Sequence, residues 1–382
     1  MEVSVFLHGL EKLNVDFFTG VPDSLLKPLN DTLFSLYGLN GCHVVAANEG
    51  NAVGMAAGHT IATGHPAMVY LQNSGLGNIV NPVTSLLNGR VYGIPCVFVV
   101  GWRGEPGVPD EPQHAFQGRI TREQLALLEL TTFELDAATD YEDFKRMLTQ
   151  AAPLLAAGGS VAFLVHKGGL TGEGTGLPED ARGNLPMREE ALERILRDAQ
   201  PDDLFVSTTG KTSREVFELR VKLGQDHAHD FLTVGSMGHA GMIALGIAKA
   251  KTDRMVWCLD GDGAALMHLG ALAVEAQQNC RNMIHVVLNN GAHESVGGMP
   301  VAGGELRFAP VARAIGFAAL STEKLDDLPD ALRWARQAAG EGPCLLEILL
   351  RQGSRADLGR PTQTPKENLH ALTQALCGEA ER

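Results

Sequence analysis

Positive charge is in short supply in this chain. Its 31 Lys and Arg face 45 Asp and Glu, a formal net charge of −14. That balance argues against a general binder of nucleic acid or of anionic membranes, though it leaves room for a local basic pocket. Long apolar runs are also missing. No stretch reaches the roughly 18 apolar residues that a membrane-spanning helix needs. The first residues, MEVSVFLHGLEKLN, read as an amphipathic helix rather than a signal peptide. The six cysteines are scattered and include no CxxC pair. They read as reduced, mostly buried thiols of a cytoplasmic protein. Aromatics make up only 5% of the chain, against 44 glycines, which suits small-residue helices packed closely on sheets. A complete GxGxxG after a strand is absent too: Gly261-Asp262-Gly263 continues Ala-Ala-Leu, and Gly75-Leu76-Gly77 continues Asn-Ile-Val. This weakens a nicotinamide dehydrogenase reading.

What is present is alternation. Short apolar runs predict strands at 15–20, 42–48, 67–73, 96–102 and 160–166, with amphipathic stretches between several of them. A Gly/Pro-rich segment without apolar period follows at 167–186. A second alternation then sets strands LFVST, DFLTV, MVWCL, MIHVVL and CLLEILL among helical stretches that include HAGMIALGIAKAK and AALMHLGALAVEAQQ. The pattern predicts an α/β fold of two doubly wound, parallel-sheet domains. Residues 1–168 form the first domain, 169–187 the linker, and 188–382 the second domain with its tail.

Two strand ends carry the chemistry. LDGDGAALMH (259–268) closes one apolar run with Asp262 between Gly261 and Gly263. A second run ends in Asn289-Asn290-Gly291. Ligands of open parallel sheets bind outside the carboxyl ends of strands. A carboxylate and an amide oxygen are hard ligands suited to Mg²⁺, which uses one or two carboxylates plus phosphate oxygens and water. The two glycines let backbone amides approach a phosphate, beside a helix that begins near Ala264.

Asp262 to Asn290, GDG and then NN, resembles the signature of the thiamine-diphosphate enzymes. The resemblance implies that Asp262, Asn290 and the carbonyl of Ala292 bind Mg²⁺, which anchors the diphosphate. Gly235-Ser236-Met237-Gly238 is similar to the family's GxMG, and Met237 would then bend the cofactor; core filling is its plain alternative. Such enzymes also need a Glu against the aminopyrimidine ring. Glu49, after the strand at 42–48 and opening a small-residue helix, fits that need; a helix-start acid favoured by the dipole is the alternative. The family relationship implies a first domain for the pyrimidine, a second for the diphosphate, and no middle third domain. It further implies a dimer at least, with active sites between subunits.

Several segments go beyond the cofactor: GVPDSLLKP, QNSGLGNIVNP, GWRGEPGVPDEPQH, TTGKTSRE and NNGAHESVGG. Together they resemble the phosphonopyruvate decarboxylase branch of the family. The implied reaction converts phosphonopyruvate to phosphonoacetaldehyde and CO2, in phosphonate biosynthesis. Asp23, His114 and His293 join Glu49 as catalytic candidates, although Asp23 also reads as a helix N-cap. Arg103, Gln113, Lys211 and Arg214 are candidates for the substrate anion. His239 and His268 read as structural. The loop 101–119 is long and aperiodic, as functional loops are. A sulfopyruvate decarboxylase, a relative acting on a phosphinate-bearing pyruvate, a carboligating lyase and a non-catalytic cofactor-binding subunit stay open as alternatives.

Overall fold

The structure is a computed structural model, and it describes residues 1–39, 41–172 and 182–378. The chain divides into two compact units. Met1–Pro178 with Val296–Ala302 form one; Glu179–Ser295 with Gly303–Arg382 form the other. Most of the expected linker, residues 173–181, lies outside the described residues.

The first unit holds a six-stranded sheet: β1 (Phe18–Gly20), β2 (His43–Val45), β3 (Ala67–Gln72), β4 (Cys96–Gly101), β5 (Thr131–Leu135) and β6 (Val161–Val165), in the order β2-β1-β3-β4-β6-β5. Every pairing is parallel. The central strands β3 and β4 are apolar along nearly their whole length, because helices cover both faces of a parallel sheet. Met68, Val97 and Phe163 pack into the cluster on one face, and Val69, Phe98 and Leu164 into that on the other.

The second unit repeats the plan. Its strands are β7 (Leu204–Ser207), β8 (Asp230–Leu232), β9 (Val256–Gly261), β10 (Met283–Asn289), β11 (Ala318–Thr322) and β12 (Cys344–Leu349). The order is β11-β12-β10-β9-β7-β8, again parallel. Numbered within its own unit and read from the other edge, this is the order of the first sheet. Each sheet therefore reverses direction between its first and third strands, the kind of switch point where doubly wound folds bind ligands.

The helical detail departs from the expectations. Strands β5 and β11 are additional to the ten runs read from the sequence. Both are edge strands with half-open or exposed residues, so neither shows a continuous apolar run. The loop expected over 101–119 ends earlier, because helix Pro112–Leu127 takes in Gln113 and His114; Pro at the first helical position is well tolerated there. The expected helix over 264–278 is two, Asp262–Met267 and Gly270–Gln278, separated at His268 and Leu269. The tail past Arg351 includes the helix Pro365–Cys377, with Thr364 and Glu367 forming a capping box.

Candidate functional site

In the first unit, β2 runs into the helix Glu49–Thr63. Asn48 caps it, accepting the Gly50 amide at 2.8 Å. Glu49 is therefore the first helical residue, yet it is buried. Asn78 Nδ2 donates to its Oε2 at 2.7 Å. Gly75 flanks the other oxygen, where a Cβ would fall 2.4 Å from Oε1. Burial raises the Glu49 pKa above the ordinary carboxyl value, against the Asn78 hydrogen bond.

The end of β1 places Asp23 in the interior. Its Oδ2 accepts the amides of Leu25 and Leu26 at 3.0 and 3.3 Å, while Oδ1 has no hydrogen-bond partner among the described residues. The helix itself starts later, at Lys27. Burial pushes Asp23 up to about 6, against the Arg103 charge and the neighbouring amides. Arg103 follows β4. Its Nη1 donates to Ser24 at 2.7 Å, and Nε and Nη2 grip both oxygens of Asp110 at 2.8 and 2.5 Å. His114 Nδ1 lies 3.0 Å from the same carboxylate. Burial works against the Asp110 charge, but Arg103 and His114 hold it well below the usual carboxylate range. The fold thus brings Asp23, Arg103 and His114 together around Asp110 and Ser24, two residues the sequence reading passed over. Gln113 is half-buried, and its Oε1 has no partner among the described residues.

In the second unit, β9 and β10 are neighbours, and their ends meet. Asp262 Oδ1 accepts the Gly263 amide at 2.8 Å, and Oδ2 accepts the Gly291 amide at 2.5 Å. Asn290 Oδ1 accepts the Ala292 amide at 3.1 Å. Its Nδ2 donates to Glu294 at 3.0 Å. Glu294 in turn accepts from Arg188 at 2.7 Å and Lys211 at 3.0 Å. Arg188 also grips both oxygens of the buried Glu215. Lys211 is therefore linked to Asn290 through Glu294. That acid lies inside NNGAHESVGG, but nothing in its spacing marks it out. Arg214 is half-buried on the same helix as Lys211. His293 is buried with Nε2 unpartnered among the described residues, and burial lowers it to about 4.

The GSMG turn lies in this unit as well. Gly235, Ser236 and Gly238 all have positive φ (73°, 48° and 85°). The Gly235 amide donates to Thr209 Oγ1 at 2.9 Å. A Cβ on Gly238 would fall 2.6 Å from the His268 ring and 3.1 Å from the Ala264 carbonyl. Met237 is half-buried between these glycines.

Comparison with known proteins places the architecture. Residues 3–127 match the thiamine pyrophosphate enzyme N-terminal TPP binding domain, and residues 208–348 the corresponding C-terminal TPP binding domain. A phosphonopyruvate decarboxylase of Streptomyces viridochromogenes is 38% identical over 374 residues, 94% of this chain and 91% of the relative. One from Streptomyces hygroscopicus is 37% identical over 96% of this chain and 92% of its own length. A sulfopyruvate decarboxylase of Methanosarcina acetivorans is 26% identical over 75% of each chain.

The chain belongs to the phosphonopyruvate decarboxylase family of thiamine pyrophosphate enzymes. It is a carboxy-lyase, and thiamine pyrophosphate is its cofactor.

The residues around Asp262 fit the metal-diphosphate end of that cofactor. Burial pushes the Asp262 carboxyl up to about 6, against the amides of Gly263 and Gly291 and the charges of Arg182 and Arg188. A buried carboxylate held mainly by amides gains strongly from a divalent cation. A Cβ on Gly261 would meet nothing closer than Thr208 at 3.9 Å, so this backbone is open to a close approach. Among the described residues, no helix is long and apolar enough to cross a membrane.

Proposed function

We propose that this chain decarboxylates phosphonopyruvate, giving phosphonoacetaldehyde and CO2, with Mg²⁺ beside the thiamine cofactor. Similarity along nearly the full length carries this reading: phosphonopyruvate decarboxylases match 94% and 96% of the chain, whereas the sulfopyruvate enzyme matches 75% at lower identity. In the reaction the bond between the carboxyl and keto carbons breaks. CO2 leaves, and a proton joins the former keto carbon to give the aldehyde.

The bound cofactor supplies an electron sink for the pair left behind by CO2. The chain's residues hold and orient. Asp262, Asn290 and the Ala292 carbonyl would hold Mg²⁺, and Gly235, Gly261, Gly263 and Ala264 would border the diphosphate. Met237 would shape the space for the rings. Glu49, whose pKa burial raises, would be the group that exchanges a proton with the cofactor's aminopyrimidine. Asp23, His114 and His293 are the further groups for proton movement. Arg103, Gln113, Lys211 and Arg214 are the candidates for the phosphonate. Arg103 and Lys211 already carry carboxylate partners, so an incoming dianion would compete with Asp110 and Glu294.

The reading includes cytoplasmic location and self-association as a dimer or larger. Six free cysteines accord with the first. Exposed Met55, Ile61 and Val80 on the unit that bears Glu49 accord with the second. Purified protein supplied with phosphonopyruvate should release CO2 and phosphonoacetaldehyde in equal amounts only when Mg²⁺ and thiamine pyrophosphate are both added. Unaltered keto acid under those conditions would favour a non-catalytic subunit.

A further inference from the structure

Beneath the end of β9 lies a cluster that the reaction does not use. Cys258 and Asp260 alternate along β9 and so face the same side of the sheet. His285 on β10 pairs in register with Cys258, and Val287 with Asp260. All three side chains are 3% exposed or less. Their Sγ, carboxylate oxygen and imidazole nitrogen lie within 4.8 Å of one another, the one such His/Cys/acid group among the described residues.

The imidazole is held in a definite way. Its Nδ1 lies 2.8 Å from Glu275 Oε2, on the helix Gly270–Gln278. Nδ1 donates to that carboxylate, and Nε2 faces Asp260. Nε2 is buried and has no hydrogen bond of ordinary length among the described residues. Its nearest acid oxygen, Asp260 Oδ2, is 3.7 Å away. This is too long for a hydrogen bond. It is close to the edge of a tetrahedron whose metal–ligand bonds are about 2.0–2.3 Å. Asp260 Oδ1 is meanwhile occupied by the Gly261 amide at 2.9 Å, so Oδ2 is the oxygen left over.

We infer that Cys258, Asp260 and His285 form a structural site for a borderline-soft divalent ion such as Zn²⁺, with Glu275 behind His285 as its outer partner. Mixed sulfur, nitrogen and oxygen donors are the set that Zn²⁺ takes and that Mg²⁺ does not. A carboxylate on the far nitrogen of a ligating imidazole is the usual support of such a ligand. Against burial, Glu275 and Asp260 favour the protonated imidazole, so binding displaces two protons to solvent, the Cys258 thiol proton and the His285 Nε2 proton, and changes no oxidation state. The ion would tie β9 to β10 directly below the residues that lead to Asp262 and Asn290. It is separate from the diphosphate site, where Asp262 bonds to Gly263 and Gly291 instead.

The test uses the tag-free full chain, stripped with a chelator and resaturated with Mg²⁺ and thiamine pyrophosphate. Adding Co²⁺ should load one ion per chain with tetrahedral visible bands and a sulfur-to-cobalt charge-transfer band. Cys258→Ser should lose the charge-transfer band, and Glu275→Gln should weaken cobalt binding by about 10–100-fold. X-ray absorption on zinc-loaded wild-type protein needs no variant and should find one sulfur neighbour. A zinc shell of nitrogen and oxygen only, a charge-transfer band that survives Cys258→Ser, or a wild-type chain that retains no cobalt would each overturn the site. None of these readouts depends on turnover, so they stand apart from the test of the substrate.

Discussion

Gly75 and Glu49 touch so closely that only hydrogen fits between them: a Cβ on Gly75 would lie 2.4 Å from Glu49 Oε1. The carboxyl is thus set by bare backbone on one side and by Asn78 on the other. Gly75→Ala should push the carboxyl off its position. Turnover should fall at least tenfold, with cofactor affinity close to wild type by fluorescence titration. Unchanged turnover would free Glu49 from this constraint.

Glu49→Gln keeps the size and removes the exchangeable acid. Turnover should drop on the order of 10²–10⁴-fold, the usual worth of a general acid or base, while thiamine pyrophosphate still binds. Full activity would remove Glu49 from the mechanism. Asn78→Ala deletes the bond that favours the charged form, so any acid limb set by Glu49 should move to higher pH. A limb moving to lower pH would contradict that assignment.

Asp262→Ala and Asn290→Ala should each weaken Mg²⁺-dependent retention of thiamine pyrophosphate by tenfold or more. Cofactor retention across a magnesium titration measures this. Wild-type retention in both variants would place the cation elsewhere.

Asp23 gives a pH dependence of stability with a definite sign. Its folded pKa of about 6 lies above the ordinary 3.8, so the folded state binds the proton more tightly than the unfolded chain. Its contribution is therefore fully present below about pH 4 and is lost as pH rises through about 6. The loss is on the order of 3 kcal/mol at most, from the size of the shift. Asp23→Asn does not titrate. Urea unfolding of the cofactor-free chain should show wild type losing stability relative to the variant as pH rises through that window. A constant difference would contradict it.

Much of this was legible in the sequence because parallel strands buried on both faces leave unbroken apolar runs. β4 and β10 are buried along their whole length, and Asp262 follows directly on β9. Edge strands β5 and β11 were not legible, since half-open strands mix polar and apolar residues. Nor was the role of Asp110. An acid seven residues beyond Arg103 in a Gly/Pro-rich loop has no spacing to mark it, and only the folded loop turns it back onto the guanidinium. Glu294 is hidden in the same way. Its partners Arg188 and Lys211 are 106 and 83 residues away.

Arg103 grips Asp110 with two parallel bonds, which a lysine cannot reproduce. Arg103→Lys should raise KM for the keto acid more than it lowers kcat if the guanidinium meets the substrate anion. An unaltered KM would leave Arg103 as a loop brace.

The central claim concerns the substrate, and kcat/KM for phosphonopyruvate against sulfopyruvate, read as CO2 release by the magnesium- and thiamine-loaded enzyme, tests it most directly. The phosphonate should be preferred by tenfold or more. Equal values, or a preference for the sulfonate, would contradict the account.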